Sequence, residues 1–300
     1  MNSLLDWKIQ NDTLAGLRDP VSREDARDAA KAFDDVRQSH IVRASPRIEE
    51  TLDQIIDDVR SSAAQANRVS ELEPMVQSAV EATRERYRET WEQEFTTVAE
   101  DFYLRTTDVL QEQERSHAHY LKQQEPSEGE PVPPEQEPGT APIGTATATF
   151  IAANIGVLVG AAHLTTKNRV LAVLSEVIEE GRAEGLGLGQ IIDRFLERIG
   201  VIGVHGESRA RRIARTLVIR ASNWAALQAA RGDEREWEKD WVSQRDSRVR
   251  AAHLDTDFSG PVGLDEFFDV GGFQAMYPAD PRLPPSQSLN CRCVIIFLRA

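Results

Sequence analysis

Over most of the first 120 positions apolar residues return at three- and four-residue steps, the spacing that lines one face of a helix. Ser22 followed by Asp25 predicts a helix start and a polar helix through about Val42, after which Pro46 opens a second. There Ile48, Leu52, Ile55, Ile56 and Val59 form one stripe. Ser70 with Glu73 makes a capping box for a third helix, along which Val76, Val80, Tyr87, Trp91, Phe95, Val98, Phe102 and Val109 continue toward Tyr120. If unbroken, this helix of about 50 residues is roughly 75 Å long. A bundle of solvated helices and an intermolecular coiled coil both satisfy the pattern.

The pattern stops at residues 123–142, QQEPSEGEPVPPEQEPGTAP, where six Pro and five Glu leave Val132 as the sole large apolar side chain. Such a segment buries too little to offset its ordering entropy, so an extended linker is predicted. Next comes an uncharged run from Pro138 to Thr166 that includes Phe150, Ile151, Ile155, Leu158 and Leu164 among small residues. It is long enough to cross a bilayer, but Asn154 and His163 lie within it and small residues dilute it. A buried interhelical segment is the favoured reading of residues 143–164, and a membrane-active one the alternative. Beyond Lys167, Val170, Val173, Leu174, Val177 and Ile178 form another stripe, ended by EGRAEGLGLG. A short helix with Ile191, Ile192, Phe195 and Ile199 follows. Gly185, Gly187 and Gly189 follow no strand and precede no Lys-Ser/Thr pair, so they predict a connection between helices and not a phosphate loop.

The last helical stretch, ESRARRIARTLVIRASNWAALQAAR, is capped by Ser208. It sets Ile213, Leu217, Ala221 and Trp224 on one side and Arg209, Arg211, Arg212, Arg215 and Arg220 on the other. The arginines predict either an anion- or partner-binding face or an ordinary solvated one. From Phe258 to Ser288 repeated Gly and Pro predict a loop-rich region, and Val294 to Leu298 a buried terminal strand. The fold class expected is thus a mostly α N-terminal half of long helices, residues 1–122, and an α+β module with a small irregular sheet, residues 143–300.

Charge divides at the same place. Residues 1–142 carry 16 basic and 30 acidic side chains and residues 143–300 carry 19 of each, so the whole net charge of −14 falls on the first part. Bulk charge therefore does not bring this chain to DNA, since counterion release needs clustered cations. Cys291 and Cys293 are the only cysteines, which excludes a disulfide-stapled scaffold. The opening MNSLLDWKIQND lacks a basic patch and apolar run, so no export signal is expected.

Four ordered pieces near the end carry a resemblance. Ala214-Arg215-Thr216 precedes Trp241; then come Asp246, Arg248, Arg250 and His253, a Pro278-x-Asp280-Pro281 turn, and Asn290-Cys291-Arg292-Cys293. Across about residues 165–298 the chain resembles the C-terminal module of phage minor head proteins, the Mu F-like head morphogenesis family. The resemblance implies a minor capsid protein of a tailed phage or prophage, held in the virion at the capsid interior or portal vertex and in host cytoplasm before assembly. It implies docking to the portal protein, with scaffold, major capsid protein and packaged DNA as further partners, a part in DNA packaging or ejection, and an oligomer within the virion; the alternative function, a membrane-active ejection or toxin-like protein, uses residues 143–164 and brings membrane contact at ejection. No catalytic activity and no cofactor are implied, in keeping with the lack of a nucleophile elbow, a P-loop or a His-Glu-x-x-His motif.

Some relatives have Cys-x-x-Cys at the positions of Arg250 to His253, which with Asn-Cys-Arg-Cys implies a four-cysteine zinc site. Arg250 cannot ligate, so stoichiometric zinc is not expected here. His253, Cys291 and Cys293 are left, with Asp255 or Asp257 as fourth donors, if a metal is bound at all. The same residues permit a thiol-enzyme reading with Cys291 as nucleophile and His253 as base. Asp246, Arg248 and Arg250 are expected to form an ion-paired turn.

Overall fold

A computed structural model describes residues 23–124, 143–204 and 206–299. Among these residues six helices come first: α1 (Arg23–Ala64), α2 (Val69–Ala82), α3 (Arg84–Gln124), α4 (Ile143–Glu184), α5 (Leu188–Val204) and α6 (Gly206–Arg231). An α+β portion follows: β1 (Trp237–Val242), α7 (Ala251–Ser259), β2 (Val262–Gly263), β3 (Phe268–Val270), β4 (Phe273–Ala275), α8 (Pro285–Ser288) and β5 (Val294–Arg299). The expected fold class is the one observed, with long helices early and small antiparallel sheets late. The Ser22 cap and most of the linker, residues 125–142, lie outside the described residues.

Helix boundaries depart from the periodicity in two places. Pro46 does not open a second helix; α1 runs through it. Proline removes the hydrogen bond to the carbonyl four residues back, and that residue, Val42, is 66% exposed, so water can take the freed oxygen. The buried stripe Ile41, Ala44, Ile48, Leu52, Ile55, Val59 and Ala63 passes the proline without interruption. The expected helix of about 50 residues is instead two. Thr83, fully buried, ends α2 by donating from Oγ1 to the Val80 carbonyl at 2.7 Å, while its own carbonyl accepts from Tyr87 N at 3.2 Å in the first turn of α3. Leu110, not Val109, continues the buried stripe of α3.

The chain clusters into two compact units, each built from separated stretches. They do not coincide with the sequential domains expected, 1–122, 123–142 and 143–300, because helices from before and after the Pro-rich segment pack together within each unit.

The unit formed by Ile41–Phe95 and Ala148–Leu217 is helical. The Phe95 and Phe150 rings stack at 5.2 Å, Tyr87 stands edge-on to Trp91, and His163 Nε2 pairs with the Val80 carbonyl at 2.8 Å. Asn154 and His163 thus both have partners: Asn154 Nδ2 donates back to the Phe150 carbonyl at 3.0 Å, and Ile155, Val159 and His163 are buried. Among the described residues no helix is long and apolar enough to cross a membrane. The glycine-rich stretch is a helix connection, as its sequence context suggests. Gly185, at φ 68°, takes the left-handed conformation that closes α4, Leu186 N returns to the Gly181 carbonyl at 2.8 Å, and Gln190 Oε1 accepts from Gly187 N at the start of α5.

The second unit, Met1–His40, Thr96–Thr147 and Val218–Ala300, holds all five strands. β1 is central, antiparallel to both β2 and β5, with Trp241 opposite Ile295 and Asp240 opposite Ile296. β3 and β4 form a hairpin whose two-residue turn, Gly271-Gly272, has positive φ at both positions, as a type I′ turn requires. Helical stretches from before the Pro-rich segment belong to this unit too: Arg37 Nε donates to Ser222 Oγ at 3.1 Å, and Arg235 Nη1 to the Leu110 carbonyl at 3.1 Å.

Two expectations arise here. Cleavage between Gln123 and Pro142 should leave the two fragments associated, because contacts such as Arg37–Ser222 and Phe95–Phe150 join them across the cut. Co-elution of both fragments in size-exclusion chromatography after limited proteolysis checks this; two separately eluting folded pieces would contradict it. The other concerns Lys239 in β1, which is fully buried with Nζ donating to the Met276 carbonyl at 3.0 Å and lying 5.1 Å from the Phe268 ring centre. Burial pulls its ammonium down to about 8. A depressed lysine binds fewer protons folded than unfolded between about pH 8 and its ordinary value of 10.5, so its cost to stability is full below that window and fades as pH rises through it. Between pH 7.5 and 9.5 the wild type should gain ~2 kcal/mol relative to Lys239→Met, measured by denaturant titration of both proteins.

Candidate functional site

The residues singled out near the C-terminus meet around one end of β1. Arg250 is the N-cap of α7, and the helix periodicity then sets His253 and Asp257 on the same inward face, both at most 1% exposed. Trp241, completely buried in β1, stands edge-to-face against His253 at 5.3 Å and against Phe268 at 5.6 Å. Cys291 and Cys293 precede β5 and are free, buried thiols. Their sulfurs lie 3.6 Å and 3.4 Å from His253 Nδ1, and Cys293 N donates to Cys291 Sγ at 3.4 Å.

Hydrogen bonding to the Cys291 sulfur from the neighbouring Cys293, together with the His253 contact, outweighs burial and pulls its thiol well below the ordinary range. The same partnership with Cys291, then burial, pushes the Cys293 thiol up.

Around this cluster, carboxylates pin the loops. Asp257 Oδ2 accepts from Ser243 Oγ at 2.7 Å, Ser243 N at 3.2 Å and Arg245 Nε at 3.0 Å, while Oδ1 takes a second bond from Arg245. It thereby fixes a turn in which Arg245 has positive φ. Asp246 receives both terminal nitrogens of Arg292, at 2.7 and 2.5 Å, and the backbone and side chain of Arg248. The Arg292 guanidinium and these further donors hold the Asp246 carboxyl well below the usual carboxylate range. The ion-paired turn thus forms on Asp246 and Arg248, but its bidentate partner is Arg292. Arg250 points elsewhere, donating to the Leu289 carbonyl at 2.7 Å. Asp280, buried in the Pro-x-Asp-Pro turn, accepts from Met276 N and Arg282 N. Asn290 is exposed at φ 55°, a left-handed position that asparagine tolerates.

The expected arginine face does not hold as one surface. Arg220 is 3% exposed and donates from Nε to the Ala279 carbonyl at 2.8 Å, and burial lowers its pKa. Arg209 reaches Ala162 O and Thr166 Oγ1 within the helical unit. Arg215 is half-buried there, leaving Arg211 and Arg212 exposed. Arg209 and Arg220, three turns apart on one side of the helix, belong to different units because the division falls within α6, between Leu217 and Val218. Of the fourth donors considered for a metal, Asp255 is exposed and Asp257 is engaged by Ser243 and Arg245.

One organising residue was not singled out. Asn223 of α6 is completely buried, its Nδ2 donating to the carbonyls of Ile219, Cys293 and Pro278 at 2.9, 3.2 and 3.3 Å, and its Oδ1 accepting from Ile295 N at 2.9 Å. It joins the helix to the Pro-x-Asp-Pro turn and to β5. The signal was a polar amide beside Trp224 in a stretch otherwise rich in Ala and Leu.

An α+β module whose recurring motif residues serve its own closure, around a small antiparallel sheet, is thus what the C-terminal part is. Residues 172–296, from within α4 into β5, match the family described as Phage Mu protein F like protein. The match falls on the part of the chain that carries the resemblance. No curated protein and no solved structure matches the chain.

Proposed function

We propose that the chain is a structural minor head protein of a tailed phage or prophage that docks to the portal during head assembly and has no catalytic activity of its own. The observation carrying this reading is the match of residues 172–296 to the Phage Mu protein F like family. The chemistry of the module supports it. Its motif residues are spent on internal bonds: Asp246 on Arg292, Arg250 on Leu289, Asp280 on backbone amides. The Cys291 and His253 pair that a thiol enzyme would use is no more than 1% exposed, which gives a substrate carbonyl no approach.

Docking is tested by co-expression of the intact chain with the portal protein of the same phage and affinity capture of either one. Recovery of a portal complex is expected, and its loss on deletion of residues 172–296 would assign the contact to the matched module. Failure of the intact, folded chain to associate with portal, both in isolation and in assembling heads, would overturn the proposal.

A further inference from the structure

The cluster on α7 is more than a packing contact. Two sulfurs approach the same imidazole nitrogen, at 3.4 and 3.6 Å, and all three donor atoms lie within 4.8 Å of one another. An accepting imidazole nitrogen takes one thiol on its single lone pair, and a donating one has a single N–H to divide between two sulfurs, so hydrogen bonding supplies at most one full-strength bond for the two approaches. A tetrahedral zinc ion accounts for both: bonds of about 2.3 Å to sulfur and about 2.0 Å to imidazole nitrogen hold those atoms about 3.6 Å apart.

We propose that His253, Cys291 and Cys293 form a three-donor site for one zinc ion that staples α7 to the segment entering β5. The donor set is two soft thiolates and one imidazole, which favours zinc over the hard, oxygen-seeking magnesium and calcium. Two thiolates balance the charge of a divalent ion, so the loaded site is neutral within a buried cluster. The Cys293 amide, donating to the Cys291 sulfur, is a support that a bound thiolate uses.

Among the described residues His253 Nε2 is buried without a hydrogen-bond partner, so Nδ1 facing the sulfurs is the ring's polar engagement. Asp257, one turn further along α7, is held by Ser243 and Arg245 and does not enter the set. The fourth corner is left to a solvent oxygen. The absence of zinc expected from Arg250 rested on a four-cysteine arrangement. Here Arg250 is turned to the Leu289 carbonyl, and His253, at the other end of the same four-residue stretch, supplies the nitrogen.

The ion's role is cross-linking. It joins residues 38 positions apart, across the Gly- and Pro-rich stretch that carries β2, β3, β4 and α8. Closing a loop of that length removes much of the freedom of the unfolded chain, and binding free energy becomes folding free energy. The inference makes no use of the head-assembly reading, and either can fail alone.

The test uses the full chain, expressed with zinc in the medium and purified under reducing conditions without chelator. Elemental analysis should give one zinc per chain, and X-ray absorption a shell of two sulfurs with nitrogen or oxygen. Cobalt exchanged into the wild type should produce the intense absorption of tetrahedral thiolate-bound Co(II), and this reading does not depend on any variant folding. Cys291→Ser, Cys293→Ser and His253→Ala should each bring zinc content toward zero, and chelation should lower the melting temperature until zinc is restored. The proposal is overturned if the folded, reduced wild type neither carries zinc nor develops cobalt–thiolate absorption. It is equally overturned if the double cysteine variant retains the metal, or if protein kept reduced is found with a Cys291–Cys293 disulfide.

Discussion

Replacing Asn223 with leucine is expected to lower the unfolding free energy by about 4 kcal/mol, the largest effect of any single polar substitution in the C-terminal module. Leucine fills a similar volume, so the loss does not come from a cavity. It comes from the Ile295 amide and the Cys293 and Pro278 carbonyls, which lose their side-chain partner in a place where Asn223 itself is wholly shielded from water. A buried donor or acceptor left without a partner costs about 1–3 kcal/mol, and this change creates such gaps on β5 and on the Pro-x-Asp-Pro turn together. Urea titration of the wild type and Asn223→Leu, followed by near-ultraviolet circular dichroism, measures it. A loss under about 1 kcal/mol would mean that these backbone groups find other partners.

Asp257→Ala is expected to cost about 3 kcal/mol. The carboxylate is fully buried and gathers Ser243 N, Ser243 Oγ and two nitrogens of Arg245. Breaking a buried pair costs about 3–5 kcal/mol, and the low end applies because Arg245, 40% exposed, can turn to water once its partner is gone. Asp257→Asn keeps an acceptor for the Ser243 hydroxyl and should lose about half as much. Equal losses in both variants, by the same titration, would place the effect in charge alone; no loss in either would contradict the pinning role.

The sequence revealed what depends on periodicity and on short-range chemistry. The stripes of α1, α3, α4 and α5, the glycine-rich connection between α4 and α5, and the apolar strand β5 all follow from local spacing. What it hid depends on long-range accounting. Pro46 reads as a boundary until Val42, whose carbonyl it frees, is seen to be an exposed residue. Thr83 has no distinctive neighbours, and its role lies in its own hydrogen bonds at the junction.

The strand β1, WEKDWV, shows no clean alternation because Lys239 and Asp240 are both buried. Each compact unit combines stretches from both sides of the Pro-rich segment for a related reason: a change of composition marks where the chain lacks apolar residues, not which helices share a core.

The site shows the same division. Ordered motif pieces identified Trp241, Asp246, His253, Asp280 and the Asn-Cys-Arg-Cys run. The bonds they make, such as Arg292 in place of Arg250 on Asp246, appear only when α7 and the lead-in to β5 are placed side by side.

Quantitative mass spectrometry of purified phage heads bears most directly on the central proposal, that this chain, whose residues 172–296 match the Phage Mu protein F like family, takes part in head assembly. Heads assembled with the intact gene should contain the chain in a fixed ratio to portal protein. Heads assembled with a gene lacking codons 172–296 should contain portal but not the shortened chain. Intact heads that package portal and exclude the full-length chain, in a host where that chain is made and folded, would contradict the account.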